Sequence, residues 1–399
     1  MIPLDSARSR VLAGCAPLHP RAVPVPDALG CVTSVELTAE EHVPPFANTA
    51  MDGFAVRAAD TSGAPVRLRI VATLAAGAAP ERAVGQGEAI RIMTGAPMPD
   101  GADAVVMVER TSVDGDEVVI EQAAAAGDHV RAAGSDLAPG QVLFPAGTVL
   151  SPAHLGVLAS LGYRNVPVFP RARVGVLSTG DELVDDDRPL APGQIRDSNR
   201  PMLVALLREA NCVPVDLGLA PDRESDITAA LEQGLAECDA LVTSGGVSMG
   251  DFDYVKAVLD RMGDMQWMQV AIKPAKPLAF GVVGGKPVFG LPGNPVSSLV
   301  SFEVFARPAL RQMMGHRRIE RLRVQAIAEE GLLRRPDGKT HFVRVVGRYD
   351  DAAFRVRSSG GQASHQLGAM AAANALVVLP DGEGVEAGGL VEAILLSPP

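Results

Sequence analysis

Hydrophobic and polar positions follow two rhythms along the 399 residues, and the change between them divides the chain. Within 56–147, apolar Val66, Leu68 and Ile70 alternate with Arg67 and Arg69, and Ile90 and Ile92 flank Arg91. That period of two predicts half-buried strands, with further strands over 103–108 and 117–120. Helical spacing is absent there. Over 172–314, strand-like and helix-like runs alternate instead, which predicts a mainly parallel sheet with helices on both faces. Strands are expected over 173–177 and 213–217, with a central strand from Ala240 emptying into Thr243, Ser244, Gly245 and Gly246. Helices are expected over 200–210 and 225–235, the first carrying one apolar stripe of Met202, Leu203, Leu206, Leu207 and Ala210. Beyond His316 the pattern returns to β over 322–328, 341–346, 354–357, 375–379 and 390–395, predicting a small barrel-like domain.

The connecting segments complete a four-part plan. A short helix over 6–15 precedes a proline-rich connector over 20–26, and Ser151, Pro152 and Gly162 are placed as N-cap, N1 and stop of a linker helix. The expected parts are a linker domain (1–50 and 140–170), a β-rich domain (51–139), an α/β domain (171–315) and a C-terminal barrel-like domain (316–399).

Chemistry concentrates where strands end. Three α/β strands run into loops of small and polar residues: STGDELV with Asp181 and Glu182, TSGGVSMGDFD, and GLPGNPVSS, whose Pro295 suits N1 of a helix reaching about Met313. Ligands of open α/β sheets bind outside the carboxyl ends of strands, so the three loops predict a pocket. Glycines admit close backbone approach and a helix start adds positive potential, which suits phosphate; aspartates beside such a turn either cap the helix or hold a bridging cation. Between the last two loops, AIKPAKPLAFG carries Lys273 and Lys276, read as an extended segment whose ammonium groups either contact the ligand or line a solvated edge. The β-rich stretch has polar turns of its own at Asn48, Thr49, Asp52 and Gly53, at Thr94 and Asp100 in TGAPMPDGAD, and at Arg131, Ser135 and Asp136.

Composition narrows the chemistry. A formal net charge of −11 argues against nucleic acid or an anionic membrane surface as main partner, so an anionic ligand must meet locally placed donors. Cys15, Cys31, Cys212 and Cys238 are scattered, which suggests neither a zinc site nor a disulfide framework and fits a reducing cytoplasm. No signal-peptide pattern or bilayer-length apolar run is visible. A dinucleotide GxGxxG is missing, and the seven histidines avoid the motif loops. The residues therefore point to an enzyme that handles a phosphorylated or otherwise anionic small molecule with a divalent cation, through positioning and electrostatics.

Taken together, NTAMDGFA, TGAPMPDGADAVV, GSD, STGDEL, IRDSN, TSGGVSMGDFDYVK, KPAKP and GLPGNPVSS resemble, in order and spacing, the MoeA-type molybdenum insertases, relatives of the C-terminal region of gephyrin. The resemblance covers nearly the whole chain. It implies insertion of molybdate into adenylylated molybdopterin with release of AMP, aided by Mg²⁺. It further implies an elongated homodimer with a composite active site, and as partners a molybdopterin-adenylylating protein and apo molybdoenzymes or their chaperones.

Matched residue by residue, the resemblance implies that Asp52, Thr94, Asp136, Glu182, Asp222, Asp253 and Lys273 are catalytic, with Asp52, Glu182 and Asp253 as metal ligands. It places Ser244, Gly245, Gly246, Ser248 and Asp251 on the substrate, with Pro292 and Pro295 shaping the third loop. Lys276, Ser297, Arg344 and Ser364 match positions that hold the pterin or molybdate end. Departures are Phe54 for the usual Tyr, Ala275 within the usual KPGKP, and Gln269 where relatives often carry Lys. Two alternatives differ in class: an adenylylating or nucleotide-binding enzyme sharing only the α/β domain, which would not need the MDGF and TGAP segments, and a scaffold, which would not need the acidic set.

Overall fold

The computed structural model describes residues 1–246, 254–350 and 353–397. They form two units, one of Met1–Val23, Gly30–Ser34 and Pro167–Pro399, the other of Pro24–Leu29 and Val35–Val166.

The first unit is built on a six-stranded sheet ordered Val213–Ala220, Arg173–Thr179, Ala240–Ser244, Lys286–Leu291, Pro277–Val283 and Asp264–Gln269. The first four strands are parallel. The last two are antiparallel, an addition to the expected parallel sheet. Their apolar runs are short, and Gly284 and Gly285, both at positive φ, turn Pro277–Val283 back as a hairpin onto its other neighbour, Lys286–Leu291. Alternate side chains of the parallel strands serve opposite cores. Val174, Val176 and Val242 pack with Leu203 and Leu207 of the helix Asn199–Glu209. Leu177 and Leu241 pack with Ile227 and Leu231 of Glu224–Glu237 and with Val258 of Tyr254–Met262. Helices thus cover both faces, and all three loops leave the carboxyl edge.

The helix expected after Pro295 is present but not uniform: α-turns over Pro295–Ser301 and Arg307–Met313 flank a π-helical stretch over Phe302–Ala306. Pro308 supplies the cause, because a proline lacks the N–H and crowds the carbonyl four residues back, and a wider turn relieves that crowding.

The C-terminal region forms a closed five-stranded ring. Thr340–Asp350 pairs with Ala353–Ser358, which pairs with Arg323–Ala328, then Leu390–Leu395, then Ala375–Leu379, which pairs back onto Thr340–Asp350. Ala326, Val345, Phe354, Val356, Val377 and Ala393 lie in its core. The short strand Ile272–Lys273 adds to this sheet in parallel, Lys273 opposite His341.

The second unit holds a six-stranded sheet ordered Ala104–Met107, Gly53–Val56, Glu88–Ile92, Val66–Leu74, Glu117–Ile120 and Thr111–Asp114. The strands read from alternation are all here. Gly53 sits between two neighbours, and a Cβ on it would stand 2.1 Å from the Val106 carbonyl oxygen, so this position admits no side chain. The expected helix runs from Pro152 to Ser160, where the Ser151 N–H donates to His154 Nδ1 at 3.1 Å. Among the described residues no helix is long and apolar enough to cross a membrane, and the four cysteines are buried and free.

Candidate functional site

The three strand-end loops of the α/β sheet come together as their positions predict. Gly245, at φ +92, lies so close to the first loop that a Cβ on it would stand 3.0 Å from the Thr179 carbonyl oxygen. A Cβ on Gly293 would stand 3.8 Å from the Cα of Gly245. Gly246 is also left-handed, at φ +67, and Ser244 is buried. Pro292 precedes the third turn, and Pro295 occupies the first turn of its helix as expected. Ser248, Asp251 and Asp253 lie outside the described residues.

What fastens these loops is a group that sequence reasoning assigned no role. Asp197, of IRDSN, accepts from Ser178 Oγ at 3.2 Å, from the Asn199 and Arg200 N–H groups at 3.1 Å each, and from Arg200 Nε at 3.0 Å. Asn199 donates from Nδ2 to Ser244 Oγ at 2.7 Å and to the Gly293 carbonyl at 2.6 Å. The signal was an acidic residue and an amide at a predicted helix start, a pattern read only as part of a motif set.

At the first two strand ends, Asp181 and Asp222 exchange backbone bonds: the Asp222 N–H donates to Asp181 Oδ1 at 3.1 Å, and the Asp181 N–H to Asp222 Oδ2 at 3.4 Å. Glu182 is close behind, for a Cβ on Gly180 would stand 2.5 Å from its Oε2. Partial burial raises the Asp222 carboxyl above its ordinary range, and the neighbouring charges of Asp181 and Glu182 raise it further. Three carboxylates thus stand near one another at this edge, two of them accepting backbone N–H groups. Among the described residues no three His, Cys, Asp or Glu form a ready metal cage. Mg²⁺ commonly keeps several waters and takes only one or two protein carboxylates plus phosphate oxygens, so hard oxygens from Glu182 and its neighbours fit it.

The KPAKP segment is a turn, which corrects the extended geometry expected for it. Lys273–Pro274 is cis and Ala275 adopts φ +73, so the chain reverses between the two lysines. Lys273, Lys276, Ser297 and Ser364 line one cavity of about 820 Å³. Both lysines are exposed, and among the described residues neither has an ion-pair partner. Arg344 lies fully buried behind this wall. Its Nη2 donates to the carbonyls of Gly361 at 2.8 Å and Ala363 at 3.3 Å, whereas Nε and Nη1 have no partner among the described residues. Burial lowers its pKa from the ordinary arginine value. Gln362 completes the clamp, accepting from the Arg344 N–H and donating to its carbonyl, each at 2.9 Å. A second cavity of about 500 Å³ shares Lys273, Pro274 and Gln362 and brings in Arg334, Asp337 and His341, none of them singled out from sequence. Asp337 is held down to about 2, against the effect of its desolvation, by His341 and Lys339.

In the second unit, Asp52 and Thr94 meet across 42 positions. The Thr94 N–H and hydroxyl both donate to Asp52 Oδ1 at 2.6 Å, and these bonds hold the exposed carboxyl below its ordinary pKa. Asp136 stands exposed in its own turn, its N–H donating to the Val43 carbonyl at 3.0 Å.

Comparison with known proteins bears directly on this arrangement. Residues 2–162 match the model for the MoeA N-terminal region (domain I and II), 175–312 that for a probable molybdopterin binding domain, and 331–396 that for the MoeA C-terminal region (domain IV). Molybdopterin molybdenumtransferase 2 of Mycobacterium tuberculosis is 42% identical over 383 residues, spanning 94% of this chain and 93% of that one. The chain belongs to the MoeA family. Another member, the molybdopterin molybdenumtransferase of Bacillus subtilis, is 34% identical over 99% of this chain and 94% of its own. Two solved structures of the MoeA protein of Pyrococcus horikoshii superpose with TM-scores of 0.80 and 0.76, at 30% and 29% identity, over 100% and 99% of this chain and 100% of each of theirs.

The family departures acquire physical readings. Phe54 is 1% exposed in an apolar core, where a tyrosine hydroxyl would need a partner. Ala275 occupies a left-handed position where the glycine usual in MoeA proteins carries no strain. Gln269 ends a sheet strand, and its carbonyl accepts from the Ile2 N–H at 2.8 Å.

Proposed function

We propose that this chain inserts molybdate into adenylylated molybdopterin, releasing AMP and giving molybdenum cofactor. The observation that carries the reading is the cavity of about 820 Å³ walled by Lys273, Lys276, Ser297 and Ser364, with the buried Arg344 guanidinium behind it. In a chain of net charge −11, cations held without acids make a place for an oxyanion such as molybdate. The glycine turn at Ser244, Gly245 and Gly246 and the third loop suit the phosphate-bearing end of the substrate. Ser248, Asp251 and Asp253 belong to the same reading through the motif they complete.

Mg²⁺ held by Glu182 and Asp253, with Asp52, would neutralise charge on the phosphoanhydride. The chain's own groups bind, orient and supply charge; no protein nucleophile is assigned. Asp52, Thr94 and Asp136 of one subunit would serve the pocket of a second in a homodimer, and Asp222 and Lys273 belong with the catalytic set. The four-part division at 1–50 with 140–170, 51–139, 171–315 and 316–399 is part of this reading. So are a cytoplasmic location and an exchange of substrate and product with a molybdopterin-adenylylating protein and with apo molybdoenzymes or their chaperones.

The test is AMP release from purified adenylylated molybdopterin with Mg²⁺, with and without molybdate. Molybdate-dependent release coupled to active cofactor is the expected result. Tight binding without turnover would instead favour a carrier or scaffold.

A further inference from the structure

We propose that Asn199 is a positioning residue that sets the distance between the glycine turn after Ala240–Ser244 and the turn after Lys286–Leu291, and thereby the affinity for the adenylylated substrate. The inference rests on the function proposed above only for the identity of that ligand. Backbone pairing between these two strands ends at Ser244 with Leu291 and at the Gly245 N–H, which donates to the Leu291 carbonyl at 3.1 Å. Past that point the ladder no longer determines where the two turns lie.

Asn199 acts at that gap. It is 8% exposed, and both of its donors are engaged, one on the Ser244 hydroxyl and one on the Gly293 carbonyl. A single amide therefore spans the two loops. Its own place is set from the first loop, because the Asp197 side chain, 1% exposed, binds Ser178 Oγ and the first two N–H groups of the Asn199–Glu209 helix. Asp197 thus serves as the helix cap that Ser198 does not provide. The chain of contacts from Ser178 through Asp197 and Asn199 to Ser244 and Gly293 links all three loops, and Asn199 itself is assigned no contact with the ligand.

Asn199→Asp is nearly isosteric but turns both donors into acceptors, so it repels the Gly293 carbonyl; Asn199→Ala removes them. Loss of both buried hydrogen bonds in Asn199→Ala, or of the one to Gly293 in Asn199→Asp, where the Ser244 hydroxyl can still donate, should weaken binding of adenylylated molybdopterin by about tenfold or more. The half-saturating molybdate concentration should stay within about twofold. Amide hydrogen exchange supplies a readout independent of activity: Gly245, Gly246 and Gly293 should exchange at least about tenfold faster, with Leu241 to Thr243 unchanged.

Faster exchange throughout the sheet, or a collapse of both variants, would overturn the proposal in favour of a purely structural role. Unchanged loop exchange, or loosened loops with unchanged substrate affinity, would overturn it too. If the unsubstituted protein binds no adenylylated molybdopterin, the ligand assignment fails, and hydrogen exchange still decides whether Asn199 fixes the two turns.

Discussion

Replacing Arg344 by methionine should leave the protein about as stable as before while impairing its use of molybdate. The guanidinium is fully buried and makes two hydrogen bonds, to the Gly361 and Ala363 carbonyls. Bonds from a charged donor contribute about 1.5–3 kcal/mol each, so their loss alone would cost about 3–6 kcal/mol. Against this stand the desolvation of a charge with no acid beside it among the described residues, worth several kcal/mol, and two donors without partners there, Nε and Nη1, at about 1–3 kcal/mol each. The opposing terms are of equal size. Gly361 and Ala363 are exposed, so water can satisfy the released carbonyls, and methionine refills most of the volume.

The expected change in unfolding free energy is therefore within about 1 kcal/mol of zero, measured as the shift in urea midpoint at constant slope. In AMP-release assays titrated with molybdate, the half-saturating concentration should rise by about threefold or more, since a positive charge behind the cavity wall is removed. A loss of about 3 kcal/mol of stability with an unchanged molybdate response would refute the reasoning. Arg344 would then be kept for the loop it clamps, and its two free N–H directions would have no bearing on the ligand.

Other expectations concern the charged groups around the site and beneath it. Asp222 has a folded pKa above its ordinary value, so the folded state binds the extra proton and stability falls as pH rises from about 4 through that value. Asn at this position should remove that slope in urea titrations and blunt stabilisation by Mg²⁺, and a slope retained in Asp222→Asn would exclude Asp222 as its source. His316 is buried beside Arg311 and Arg307, which together with desolvation lower its pKa to about 4. Its neutral form is favoured in the fold, so stability should be full above about 6.5 and decline toward pH 4 by on the order of 3 kcal/mol; His316→Gln should flatten that limb, and an unchanged limb would show that other groups cause it. Mixing Thr94→Ala with Glu182→Ala chains should restore part of the activity if the site is shared by two subunits, whereas verified mixed dimers without activity would argue against sharing.

Much of this was legible in the sequence because the signals were local and periodic. Alternation located Val66–Leu74 and Glu88–Ile92, and a five-residue apolar stripe located Asn199–Glu209, since burying one face imposes those periods. The convergence of the strand-end loops could be read because carboxyl ends of parallel strands share one edge. The antiparallel hairpin was not legible: Pro277–Val283 is buried on both faces, so it lacks alternation, and two prolines of KPAKP drew attention to the turn before it. Nor was the role of Asn199, whose two acceptors lie 45 and 94 positions away and acquire meaning only once the loops are folded. Motif resemblance paired Asp52 with Thr94 in function, but only the fold shows that both Thr94 donors converge on one carboxylate oxygen.

The two lysines show why the cavity proposed for the oxyanion draws on both folds of the first unit. Lys273 ends a strand that pairs with the barrel, opposite His341, while Lys276 immediately precedes the Pro277–Val283 strand of the α/β sheet. Each ammonium is therefore anchored by a different sheet, and only Pro274 and Ala275 join them. A reversal this short forces Ala275 to φ +73, at a cost of about 1–2 kcal/mol for a residue with a Cβ. Its methyl is 3% exposed among Ile272, Leu278 and Phe280, and burying one such group recovers about 0.8 kcal/mol. Alanine is thus tolerated because its buried methyl offsets part of the strain, while a β-branched side chain would add strain without room to pack. Local preference yields here to the requirement that two cations face one cavity, and the flanking sheets, rather than the turn itself, hold them there.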